Sequence, residues 1–133
     1  MFADVFTLLF VAHFTGDYLF QTDHMVKHKA ERSREGWEAN VTHVGCHLAA
    51  TFAALFVAQV ALGLDVSGPA FFGAAAWIGF SHGFIDRRWP IAWWMNRTGS
   101  PEFLAKGGAP LVDQAAHIVV GLAPAALLVA ALS

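Results

Sequence analysis

Four long apolar stretches occupy most of this chain and limit the folds that it can adopt. They cover about residues 2–20, 41–64, 69–85 and 110–132 of the 133 residues. A helix that crosses the hydrocarbon core of a bilayer needs about 20 mostly apolar residues. Charged residues make up only 14% of the chain, whereas soluble domains contain about a quarter. The pattern predicts an all-α fold with a single transmembrane domain over residues 1–133, built as an integral membrane four-helix bundle.

The basic residues indicate how the four predicted spans are oriented. All eight Lys and Arg residues lie in two segments, residues 27–34 and 87–106. Because loops rich in Lys and Arg stay on the cytoplasmic side, both segments are predicted to be cytoplasmic and both termini to lie outside. The net charge of −2 gives no indication of a nucleic-acid partner. Membrane lipids are therefore the expected surroundings, and the sequence leaves a homo-oligomer open.

Pairs of His and Asp residues, spaced four residues apart, lie in or beside every apolar stretch. Residues at this spacing project from one face of a helix, so a pair can bind one metal ion, as in the H-E-x-x-H motif. With the predicted orientation, all pairs fall at the cytoplasmic ends of their spans, and a shared site is expected there. The pairs are His13 and Asp17, His43 and His47, His82 and Asp86, and Asp113 and His117.

The positions of the pairs also suggest an internal repeat. His13 and His82 are separated by 69 residues, and His47 and His117 by 70 residues. Two similar helical hairpins of the same topology would be related by a pseudo-two-fold axis along the membrane normal. The shared site is expected on or near that axis.

The residue types indicate which ion the site would bind. Imidazole and carboxylate groups suit Zn²⁺ first, with Fe or Mn as alternatives, better than Ca²⁺ or Mg²⁺. The candidates outnumber the four ligands of a tetrahedral zinc ion, so one or two divalent ions are expected. Asp17, Asp86 and Asp113 are the candidate catalytic groups, as ligands, bridges or a general base. Ordinary interhelical hydrogen bonds and a haem site are the alternatives, although Asp is a poor haem ligand.

Polar residues beside the pairs are candidates for binding a substrate. Gln21 continues the face of His13 and Asp17 by one turn, and Arg87 and Arg88 directly follow Asp86. The arginines would hold an anionic substrate over the metal, or would serve only topology and lipid head groups. Gln21 would orient a ligand or simply meet water. His24 and His28, also four residues apart, are interpreted as part of a solvated turn in the charged loop.

Four short motifs carry a resemblance to a known family. The runs HFTGDYLFQTDHMVKHK, HVGCH, SHGFIDRR and VDQAAH resemble the bacterial and phage membrane family called domain of unknown function 3307. They are more loosely similar to membrane-bound metal-dependent hydrolases. The resemblance implies a small multi-pass protein, encoded by a bacterium or a phage, in the inner (cytoplasmic) membrane. It supplies no reaction.

Two functions remain open from the sequence. The leading hypothesis is a metal-dependent hydrolase that acts on a lipid or another phosphoester at the cytoplasmic face, because a bound metal can generate hydroxide at neutral pH. The alternative is a non-enzymatic metal protein, namely a metal transporter, a sensor or a bundle that a metal ion stabilises.

Overall fold

A computed structural model describes all residues 1–133, and every element in it is helical, which confirms the predicted all-α class. Helix α1 spans Phe2–Phe14 and continues as a π-helical segment, Thr15–Phe20. Three short helices lie between the long ones: α2 (Asp23–His28), α5 (Trp89–Arg97) and α6 (Pro101–Ala105). The other long helices are α3 (Arg34–Leu62), α4 (Gly68–Ile85) and α7 (Ala109–Leu132). Within α7, His117–Leu122 is π-helical.

The four long helices pack in a closed ring. Helix α1 contacts α3, α3 contacts α4, α4 contacts α7, and α7 contacts α1. Ser67 joins the start of α4 to the end of α7, because its hydroxyl donates to the Leu132 carbonyl at 2.8 Å while it accepts from the Ala70 N–H at 3.2 Å. In this ring, one face of each long helix points to the centre of the bundle.

Helix α3 is longer than the predicted second stretch and starts well before Val41. Ser33 caps its N-terminus by accepting a hydrogen bond from the Gly36 N–H at 3.0 Å. Gly63, with φ of +65°, ends the helix in the left-handed conformation that glycine adopts without steric penalty. The apolar pattern missed the first two turns of α3 because Arg34, Glu35 and Glu38 interrupt it.

Two helices, α3 and α7, are long and apolar enough by length and composition to cross a membrane. This finding is weak support for a membrane location. The four-span topology, the orientation and the pseudo-two-fold symmetry stay predictions.

The bundle interior divides into two regions along its length. One region, here called the apolar end, is built from buried aliphatic side chains of all four long helices. The other, here called the polar end, holds the predicted His and Asp residues near the short helices. The apolar end consists of Val5, Leu9, Leu55, Val66, Ala70, Ala74, Ile78, Leu122, Ala125, Ala126 and Val129.

Candidate metal centre

Four side chains at the polar end place one potential ligand atom each within 4.8 Å of one another: Asp17, His43, His47 and His82. We call this group the buried centre. All four side chains are buried. Asp17 comes from α1, His43 and His47 from α3, and His82 from α4, so the ring of helices assembles the group from three elements.

The distances within the buried centre resemble those between ligands of a single ion. Asp17 Oδ1 lies 3.1 Å from His47 Nε2 and 3.3 Å from His43 Nε2, and the Nε2 atoms of His43 and His82 are 3.2 Å apart. Ligand atoms about 2.0 Å from a tetrahedral ion are about 3.3 Å from each other. The fourth group is looser, with 3.9 Å between His82 Nε2 and Asp17 Oδ1. The donor set and its spacing fit a transition-metal ion.

A second group overlaps the first. His82, Asp86 and His117 also have ligand atoms within 4.8 Å of one another. Asp86 Oδ2 lies 3.2 Å from both His43 Nε2 and His82 Nε2 and has no hydrogen-bond partner, and His117 Nε2 is likewise buried without one. Unpartnered buried polar atoms are rare and point to an absent ligand or water. Because His82 has one Nε2 atom, it cannot serve two separate ions through that atom, so the arrangement favours one ion at the buried centre beside further donors.

His13 and Gln114 support the Asp17 carboxylate. The Gln114 amide donates to Asp17 Oδ2 at 2.9 Å, and its Oε1 lies 3.1 Å from His13 Nε2. His13 Nε2 in turn lies 3.2 Å from Asp17 Oδ2. Groups that contact a metal ligand from outside the centre fix its orientation. Here Gln114 and His13 hold Asp17 Oδ2, while Oδ1 faces His43 and His47.

The backbone changes its hydrogen-bonding pattern beside the centre. Asp17 lies in the π-helical segment of α1, and His117 begins that of α7. A π-helical turn inserts an extra residue and redirects the side chains that follow, and such turns are frequent at functional sites. The segments explain how residues at helical spacing reach a common point.

Gly16 makes room for one imidazole. A methyl group at Gly16 would lie 2.6 Å from Nδ1 of His47, too close for real atoms, whereas one at Gly45 would meet nothing within 4 Å. The glycine therefore allows α1 and α3 to approach closely enough for His47 to reach Asp17.

An open cavity, here called the mouth, leads from the surface to the two carboxylates. Both Asp17 and Asp86 line it, together with residues of α1, α2, α5 and α7. The polar residues along it are Asp17, Gln21, Lys29, Asp86, Arg88, Asp113 and Gln114.

Lys29 lies between the mouth and the buried centre. Its Nζ atom is 2.9 Å from Asp86 Oδ1 and 3.1 Å from His43 Nε2, and it donates to Gln21 Oε1 at 2.7 Å. Lys29 is buried even though it follows a surface helix. From the sequence, Lys29 is only one of the charges of a loop, because nothing local indicates that its ammonium group turns inward.

Gln114 was also missed from the sequence. It lies one turn before His117 on the same helix face, and a polar residue inside an apolar stretch was the signal that could have found it.

Asn40 was missed as well, and its role is structural: its amide donates to the Gly83 carbonyl at 3.2 Å and joins α3 to α4.

The remaining predicted residues occupy distinct places. Asp113 lies at the mouth and reaches only His117, with Oδ2 3.4 Å from Nδ1. Gln21 and Arg88 line the mouth, and Arg88 adopts φ of +61°, an uncommon conformation for a side-chain-bearing residue.

Arg87 is buried elsewhere: its guanidinium lies over the Trp37 ring and donates to the carbonyls of Lys29 and Glu31. Arg87 thus ties the charged loop to the bundle.

Sequence comparison identifies the family of the chain. The model of the family described as "Protein of unknown function (DUF3307)" matches residues 5–132. No curated protein and no solved structure matches the chain. The resemblance carried by the four motifs is thereby confirmed, while similarity to membrane-bound hydrolases stays a prediction. The chain belongs to the DUF3307 family.

Proposed function

We propose that this protein is a membrane-embedded, metal-dependent hydrolase that acts on an amphipathic phosphoester at the cytoplasmic face. The single observation behind the proposal is that two carboxylates of the metal-ligand groups, Asp17 and Asp86, also line an open mouth that carries Lys29 and Arg88. A centre that only held helices together would need no such access.

The polar residues of the mouth and the buried centre would have separate roles in the reaction. Lys29 and Arg88 would hold the anionic phosphoryl group, because ammonium and guanidinium groups are suitable phosphate partners. Asp86, whose Oδ2 atom has no hydrogen-bond partner, is placed to accept a proton from an attacking water. His43, His47, His82 and Asp17 would hold one ion, with Zn²⁺ as the first candidate, and a zinc ion can expand to five ligands, which would admit a water. A bound divalent metal supplies Lewis acidity and lowers the pKa of a coordinated water to about 7.

An apolar surface beside the mouth supports a substrate with a hydrocarbon part. Ile91 lines both the mouth and a neighbouring groove that contains Trp89, Trp93 and Trp94. Trp residues concentrate at the membrane–water interface, and the groove would accept an acyl chain while the phosphoryl group enters the mouth. A lipid phosphoester is the substrate class that satisfies both surfaces.

A structural metal centre is the second candidate function. Four protein ligands complete a tetrahedral zinc site, and such closed sites are usually structural. The four-member buried centre favours this alternative, whereas the mouth favours catalysis. Conduction of the ion is disfavoured, because the region beyond the centre is the aliphatic apolar end.

The hydrolase proposal is tested with zinc-loaded protein reconstituted in vesicles that contain phosphatidic acid or phosphatidylglycerol, with p-nitrophenyl phosphate as a soluble probe. We expect metal-dependent hydrolysis of at least one lipid, and a decrease of more than about 100-fold in Asp86→Asn if Asp86 is the proton acceptor. Asp4→Asn, an exposed carboxylate far along α1, should leave the rate unchanged. Stoichiometric metal without hydrolysis of any of these phosphoesters would reject the hydrolase and favour the structural centre.

A further inference from the structure

A second cluster of potential ligands lies outside the buried centre, where α2 meets the start of α3. His24 and His28 project from one face of α2, with ring centroids 4.8 Å apart. Glu35 approaches both from α3: its Oε1 atom lies 3.9 Å from His24 Nδ1 and 3.7 Å from His28 Nε2. The three ligand atoms lie within 4.8 Å of one another.

Glu31 gives this cluster the arrangement of a built metal site. Its Oε2 atom lies 3.1 Å from His28 Nδ1, on the opposite side of the ring from Glu35, at ion-pair distance but outside hydrogen-bond geometry. Ligating histidines commonly give their second nitrogen to a carboxylate, which fixes the ring and leaves the other nitrogen free for the metal. The His28 side chain is only 14% exposed, so the ring is held in place by its surroundings.

We propose that His24, His28 and Glu35 form a second, solvent-accessible site for a divalent transition-metal ion, with Glu31 orienting His28. Two imidazoles and one carboxylate match the donor set of open zinc sites, which keep a fourth position for water. The His24 and Glu35 side chains are each 57% exposed. The ion at this site therefore exchanges with solution faster than one in the buried centre.

The position of this second site, here called the outer site, links it to the mouth. A metal ion there would connect α2 to the first turn of α3 across the loop that contains Lys29. Arg88 also fastens α2, since its Nη2 atom donates to the Val26 carbonyl at 3.0 Å. A metal at the outer site would restrict the segment that carries Lys29 into the buried centre.

Isolated surface ion pairs offer the simpler explanation of the same contacts. Exposed pairs contribute only about 0–1 kcal/mol and form frequently without further purpose. That explanation predicts that the cluster does not bind metal selectively. It also predicts no special role for the placement of Glu31 beside Nδ1 and Glu35 beside Nε2 of His28. The two explanations therefore differ in a measurable way.

The test is equilibrium dialysis of the full-length protein in detergent against Zn²⁺, followed by metal analysis and by removal of exchangeable ions with a weak chelator. We expect wild type to bind about one exchangeable Zn²⁺ per chain more than His24→Ala and His28→Ala do. Glu31→Gln should weaken this binding by about 10- to 100-fold, the range for groups that orient a ligand.

Glu38→Ala is the matched control, since Glu38 is an exposed carboxylate of α3 that pairs with Arg34 outside the cluster. It should bind exchangeable Zn²⁺ like wild type. Retention of the chelator-resistant metal in His24→Ala would show that the variant is folded and that the buried centre is separate. Equal exchangeable binding in wild type, His24→Ala and His28→Ala, or no exchangeable Zn²⁺ in wild type, would overturn the proposal.

Discussion

The two ends of the bundle are built from the same four helices and differ in what they bury. The apolar end buries Ala, Leu, Val and Ile, and close packing of such side chains stabilises the contacts between helices. The polar end buries imidazoles, carboxylates and Lys29 at the same ring of helices. Burial of these groups is unfavourable unless each finds a partner, and a bound metal ion would supply that partner.

The backbone repeats this contrast. Both π-helical segments, Thr15–Phe20 and His117–Leu122, carry or adjoin residues of the polar end, whereas α3 and α4 supply their histidines from regular α-helix. Departures from regular helix are thus confined to the two helices, α1 and α7, that supply Asp17 and His117.

The largest effect is expected from His82→Ala, because His82 belongs to both overlapping ligand groups. We expect the affinity for Zn²⁺ to fall by more than about 100-fold, the upper end for groups that only orient a ligand. Competition with a chromophoric chelator measures it. Ser81→Ala removes a neighbouring buried hydroxyl that bonds only to the Ile78 carbonyl and should leave the affinity unchanged; equal losses in both variants would assign the effect to packing.

Gly16→Ala should displace the His47 ring and weaken Zn²⁺ binding by about 10- to 100-fold, because the added methyl group would lie 2.6 Å from Nδ1 of His47. Gly45→Ala is the matched control, since its methyl group meets nothing within 4 Å. The chelator competition assay is used for both. Indistinguishable affinities would contradict the close packing of α1 against His47.

Lys29→Met should change the Zn²⁺ affinity in the opposite direction and tighten binding by about 10-fold or more. The Lys29 ammonium group lies 3.1 Å from His43 Nε2, so it would repel a cation bound to that atom. Two unit charges a few ångströms apart interact by about 4 kcal/mol even at an effective dielectric constant near 20. The same change should slow phosphoester hydrolysis, because it removes an anion-binding group. Lys27→Met, an exposed neighbour on α2, should change neither quantity, and weaker binding in Lys29→Met would refute the placement of the charge.

Leu55→Ala should have the smallest effect on the metal and should act only on stability. Leu55 is fully buried at the apolar end, so the cavity is expected to lower the free energy of unfolding by about 2 kcal/mol. Thermal unfolding in detergent measures this, while the Zn²⁺ content per chain should match wild type. A loss of metal in this variant would show that the two ends are not independent.

Much of the polar end could be predicted from the sequence because helical spacing is local. His43 and His47 lie on regular α-helix, and His82 lies in the last turn of α4 with Asp86 directly after its end, so a spacing of four residues placed each pair correctly on one face. Loop charge and the position of each pair within its apolar stretch predicted a common level, and the structure brings all but Asp113 together around the buried centre and its neighbours.

Other features depend on tertiary contacts that no local pattern carries. The inward turn of Lys29 depends on the path of the loop between α2 and α3, which Arg87 fixes by donating to the Lys29 and Glu31 carbonyls. The same contacts direct Arg87 away from the mouth, so the pattern Arg87–Arg88 did not separate a structural residue from one that lines the cavity. The interpretation of His24 and His28 as a solvated turn missed Glu35, because that carboxylate approaches from another helix.

The most direct test of the central claim is the metal content of the protein purified without chelators and then dialysed against metal-free buffer. Wild type should retain about one transition-metal ion per chain by mass spectrometry, and Asp17→Ala should retain almost none, because Asp17 contacts His43 and His47 and belongs to the four-ligand group. Elution and helical content equal to wild type would establish that Asp17→Ala is folded. A wild-type protein without stoichiometric metal, or a folded Asp17→Ala protein that retains it fully, would contradict the account.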